Sequence, residues 1–140
     1  MIRNILIGVV GVVFAGILLS VGGWLMFNFS GEGELIKALQ TDTISKEEFA
    51  GAFFDGAERR TLVMEILVFP LIALSVGGFV GLFARERAWL PAIIGISPIF
   101  LFLLSEPSIK GVLLSTVYTI LAIAIATIIS RRRFALVSDV

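Results

Sequence analysis

Neither cysteine nor histidine occurs anywhere in the 140 residues. Without cysteine there are no disulfides, no thiolate nucleophile and no thiolate metal ligands. Without histidine the common zinc sites and histidine-ligated haem are excluded as well. The side chain best suited to proton transfer near neutral pH is also missing. Charge is scarce: 16% of residues, with 11 basic against 11 acidic, so no net charge draws the chain to nucleic acid. There is no G-x-x-x-x-G-K-[ST] loop and no dinucleotide fingerprint, which removes the recognisable nucleotide sites. No serine lies in a nucleophile-elbow pattern, and none has a histidine to activate it. The chain is therefore expected not to be an enzyme. No cofactor is predicted, while lipid or pigment bound from neighbouring subunits stays open.

What is abundant is apolar surface, 58% of residues, more than a soluble domain usually carries. Crossing a bilayer as a helix takes roughly 20 apolar residues. Four stretches qualify or nearly do: about 5–27, 62–84, 89–104 and 111–130. The third is short and contains both Pro91 and Pro98. Strand alternation is absent, and in lipid a helix is the open-chain solution that satisfies every backbone group. The expected fold is an all-α integral membrane protein of one domain, 1–140. It has four transmembrane helices and a helical extra-cytoplasmic loop, 28–61, between the first two.

Arg3 followed by an oily run has the look of a secretion signal. The run is too long for a typical signal core and lacks a small-x-small cleavage site, so a retained anchor is expected. With both termini inside, six basic residues face the cytoplasm: Arg3, Arg85, Arg87, Arg131, Arg132 and Arg133. Lys37, Lys46, Arg59, Arg60 and Lys110 then face out. The first set hugs the span ends, where the positive-inside rule has most weight. Arg85, Arg87 and Arg131–Arg133 are the expected inner-interface anchors in a bacterial-type plasma membrane. The arginine run also attracts anionic head groups. Trp24 and Trp89 fit opposite interfacial belts.

Small residues recur at helical spacing in three spans. Gly8, Gly11, Ala15 and Gly22 form one stripe, Ala73, Gly77 and Gly81 a second, and Ser115, Thr119, Ala122 and Ala126 a third. In lipid such stripes let backbones approach and hydroxyls bond across helices, within one chain or between subunits. Pro70 and Pro98 should each bend the span that contains them.

Glu65 is the one carboxylate inside an expected span, which makes it a candidate coupling site for transport. It lies about one turn from the span start, within reach of water or Arg60. In the long loop, Phe49, Phe53 and Ala57 repeat at i, i+4, i+8 and line one helical face. With Phe54 they form a candidate contact with a partner, the membrane surface or the protein's own bundle.

The stretch TDTISKEEF, 41–49, imitates the end of a calcium-binding EF-hand loop. Placing Glu48 at the twelfth position, however, puts Lys37 and Leu39 where oxygen ligands belong. The segment reads instead as a capping box, with Ser45 at the N-cap and Glu48 three residues on. Taken together, the residues suggest a non-catalytic membrane subunit that packs against larger membrane proteins or copies of itself. The alternatives are a small oligomeric transporter or channel using Glu65, and a sensor or regulator using loop 28–61.

Overall fold

The structure is a computed structural model that describes residues 2–29, 31–84, 87–105 and 108–138, including all their side chains except those of Phe29, Glu58 and 134–138. Arg85 lies outside the described residues. The elements are α1 (Ile2–Phe29), α2 (Glu32–Gln40), α3 (Lys46–Val63), a π-helical turn (Met64–Val68), α4 (Phe69–Phe83), α5 (Trp89–Leu104) and α6 (Ile109–Ser138). All regular structure among the described residues is helical. Among the described residues three helices are long and apolar enough to cross a membrane: Ile2–Asn28, Lys46–Phe83 and Ile109–Arg133. α5 is apolar too but has only 16 residues.

The second of these three helices begins earlier than its apolar stretch. Ser45 starts α3 through a complete capping box. Its Oγ accepts the Glu48 N–H at 3.1 Å, and its own N–H donates to Glu48 Oε2 at 2.8 Å. Nothing between Arg59 and Val63 interrupts a helix, so α3 runs straight into the apolar residues. At Pro70, where a bend is expected, the structure shows a π turn just ahead of the proline. A proline ring collides with the carbonyl four residues earlier and offers that carbonyl no N–H. Here that carbonyl belongs to Ile66, and the chain widens into the π turn just there. Pro91 sits in the first turn of α5, where a missing N–H costs nothing, and Pro98 lies inside α5 without ending it.

The chain divides into two compact units, 1–18 with 69–140 and 19–68. In the first unit α6 packs against both α4 and α5. Phe69 is fully buried and meets Phe102 and Tyr118 edge-on, at centroid separations of 5.5 and 6.2 Å. Val76, Val80, Ile96 and Ile99 are buried in the same unit. In the second unit α2 packs on α3. The connection between them uses Asp42 at φ 51°, a left-handed conformation that short polar side chains tolerate.

Candidate functional site

In the first unit the small-residue stripes pack against other helices of the same chain. Ala73, Gly77 and Gly81 of α4 are buried, as are Ser115, Ala122 and Ala126 of α6. A Cβ on Gly77 would stand 2.7 Å from the Ala122 carbonyl oxygen, and one on Gly81 would stand 2.9 Å from that of Ala126. Gly11 of α1 faces Gly95 of α5, where an added Cβ would lie 3.1 Å from the Gly95 Cα. Gly8 meets Ile94, and Ala15 is fully buried. In the second unit Gly22 makes room for Val68.

The hydroxyls in these stripes behave differently from the expectation of cross-helix bonding. Ser115 donates to Val112 at 2.9 Å and Thr119 to Ser115 at 2.7 Å, both within α6. In a helix, a serine or threonine hydroxyl can satisfy itself on the preceding turn. Along these stripes, close backbone approach and dispersion therefore join α4 to α6.

At its C-terminal end α4 leaves carbonyls without helical partners. Side chains from two other helices satisfy them. Arg3 of α1 donates to the Phe83 carbonyl at 3.1 Å, and Arg133 of α6 donates to that of Leu82. Ser130 approaches the Ala84 carbonyl at 3.5 Å. The start of α1 and the far part of α6 thus meet at one end of the first unit. Cations there also complement the negative end of the helix dipole. Arg87, Arg131 and Arg132 are exposed nearby, Arg87 only three residues beyond Ala84.

The second unit is organised by Arg60. Its Nη1 lies 2.5 Å from Glu32 Oε1, its Nη2 donates to the Phe53 carbonyl at 2.7 Å, and its guanidinium carbon sits 4.5 Å from the Phe53 ring centre. The ion pair is close but poorly aligned as a hydrogen bond, so Coulomb attraction dominates it. Gly56 supplies the space, since a Cβ there would stand 2.7 Å from Arg60 Nη1. Arg60 thus folds back along α3, away from the apolar stretch, as long cationic side chains do at a membrane edge.

The expected aromatic face is present in the same unit. Phe49 and Phe53 stack with centroids 5.8 Å apart, and both are half-buried. Phe54 points elsewhere and is 71% exposed. Glu48, fully exposed in the polar part of α3, has its carboxyl held below the usual carboxylate range, first by the Ser45 backbone N–H and then by its hydroxyl. Glu65 occupies the π turn and is buried at 9% exposure.

No family model, curated protein or solved structure matches the chain. The functional reading therefore rests on geometry.

Two grooves among the described residues of the first unit are largely apolar. One of about 460 Å³ is lined by Leu104, Ser108, Ile109, Val112 and Leu113, and its one hydroxyl already accepts the Gly111 N–H. A smaller one of about 140 Å³ lies among Ile93, Ile96, Ser97, Phe100 and Thr119. Among the described residues no three acidic groups gather as a metal site would require. Sequence reading passed over Gly95, Gly56 and the Glu32–Arg60 pair. The spacing of Phe53, Gly56 and Arg60 over two turns of one face is the signal that would have suggested a guanidinium folded onto a ring.

Proposed function

We propose that this protein is a non-catalytic accessory subunit of a bacterial-type plasma membrane that packs against larger membrane proteins or copies of itself. In this reading α5 is a fourth crossing. At 1.5 Å per residue it extends about 24 Å, short of the roughly 30 Å hydrocarbon core, and it spans by local thinning or flanking residues. Both termini lie on the cytoplasmic side, and the α2–α3 hairpin lies on the other.

The supporting observation is the open face of α1. Val9, Val13 and Ile17 are each about half exposed, and Gly23 has no atom within 4 Å of where a Cβ would stand. A Cβ added at Gly23 therefore meets none of the protein's own atoms. In mild detergent the wild type should run as a complex, and Gly23→Leu or Val13→Trp should weaken it while helical content is unchanged. A wild-type monomer with no co-purifying chain would sink the proposal.

A second reading, a small oligomeric transporter or channel, draws support from Glu65, because buried carboxylates and π turns both recur at functional positions in membrane helices. Glu65→Gln in proteoliposomes tests it, and unchanged flux removes the residue from that role. The exposed Phe54 favours a third, a sensor or regulator that reads partners through its hairpin. Retention of partner assembly and activity after deletion of residues 32–58 speaks against that reading.

A further inference from the structure

We propose that the end of the first unit where α4 stops is a binding site for the phosphate groups of anionic phospholipids, with Arg87, Arg131 and Arg132 as the binding cations. Among the described residues, five basic side chains belong to this end: Arg3, Arg87, Arg131, Arg132 and Arg133. Arg3 and Arg133 are committed to the Phe83 and Leu82 carbonyls. These contacts hold the first turn of α1 and the Arg131–Arg133 turn of α6 at the end of α4. Arg131 and Arg132 immediately precede Arg133, and Arg87 follows the Ala84 carbonyl by three residues. All three are exposed, and none forms an ion pair with any described residue. Because Arg3 and Arg133 already answer the negative end of α4, the charge of the other three is left for an external anion.

A phospholipid is favoured over a soluble anion by what lies beside the charges. Leu82 and Phe83 in the last turn of α4, and Trp89 at the start of α5, are each about half exposed. Exposed apolar surface at the same end as the cations suits a ligand with an acyl chain next to its phosphate. Guanidinium groups match phosphate oxygens in a bidentate fork, which favours phosphate over a diffuse counter-ion.

The test is lipid selectivity measured by electron spin resonance. Purified full-length protein is reconstituted in phosphatidylcholine bilayers containing spin-labelled phosphatidylglycerol or spin-labelled phosphatidylcholine. The wild type should hold the phosphatidylglycerol label preferentially in its lipid shell. The triple variant Arg87→Gly, Arg131→Gln, Arg132→Gln should lose that preference, by up to about fivefold for each arginine at low ionic strength. Glycine suits position 87 because Arg87 has φ 54°, a conformation that side chains rarely adopt, so misfolding is not the expected cause of the loss. Circular dichroism and the retained Arg3 and Arg133 contacts serve as the folding controls. Equal retention of both labels by the wild type overturns the proposal, as does undiminished preference in a folded triple variant. Displacement of labelled phosphatidylglycerol by inorganic phosphate, but not by chloride of equal ionic strength, would reassign the site to a soluble anion and also overturn it.

Discussion

Gly77 of α4 and Ala122 of α6 approach so closely that any side chain at Gly77 would enter the Ala122 backbone, with a Cβ 2.7 Å from its carbonyl oxygen. The obstacle is backbone, not the end of a flexible side chain, so only helix separation can relieve it. Gly77→Val should destabilise the first unit by about 1–3 kcal/mol, the usual range for overpacking. Gly78 is the internal control. Its Cβ would meet only Ile129 at 3.9 Å, an ordinary contact. Gly78→Ala should be neutral or slightly stabilising through helix propensity. Unfolding in mixed detergent micelles separates the two, and equal loss at both positions would refute the close crossing.

Arg60 holds the second unit through an ion pair, a backbone carbonyl and a ring, all at once. Arg60→Ala leaves the buried Glu32 carboxylate without its cation and should cost about 1–3 kcal/mol. Arg60→Lys keeps the charge but loses the planar stack on Phe53, so it should fall between. Limited proteolysis of the α2–α3 hairpin reads both. Pairing Arg60→Ala with Glu32→Ala should recover part of the loss, since the stranded carboxylate is then gone.

Ser45→Ala removes one half of the capping box and should cost about 1 kcal/mol of helix stability. Hydrogen exchange at the amides of Glu47 to Phe49 should rise accordingly. Added calcium should leave exchange unchanged in the wild type.

The same cap predicts a pH dependence. The Glu48 carboxyl has its pKa lowered by bonds that exist only in the folded helix. The stabilisation it contributes is therefore complete above the unfolded-state pKa and is lost as pH falls through the lower folded value. Exchange at the start of α3 should accelerate in acid. Glu48→Gln should abolish that acid sensitivity while retaining a weaker cap.

Arg133→Leu should fray the last turn of α4, because the Leu82 carbonyl loses its donor. A cation at a helix C-terminus contributes about 0.3–1 kcal/mol. Faster hydrogen exchange confined to the end of α4, with the π turn unaffected, is the expected pattern. Uniform acceleration along α4 would mean that the contact does not act locally.

The local elements could be read from residue order because their causes are local. The capping box needs only Ser45 and Glu48 three residues apart, and the face of Phe49 and Phe53 needs only helical spacing. Apolar length marks where lipid can be crossed, since a helix in lipid satisfies its own backbone wherever it lies. Pro70 announced a distortion for the same reason: its ring acts on a carbonyl four residues away.

Pairing was not legible, because a small-residue stripe has the same appearance whatever packs into it. That Gly77 meets Ala122, and Gly11 meets Gly95, follows from how the helices pair and in what register. Spacing along one helix carries no record of either. Arg60 has Glu65 five residues ahead in sequence, yet its ion pair is with Glu32, far behind it, because Gly56 clears a path back along α3. Likewise Arg3 and Arg133 lie near opposite ends of the chain and meet at one helix terminus, where unpaired carbonyls draw both. Composition and periodicity set which residues prefer lipid and where helices begin, whereas the contacts that join them required the chain to be folded, because each depends on the shape of a partner distant in sequence.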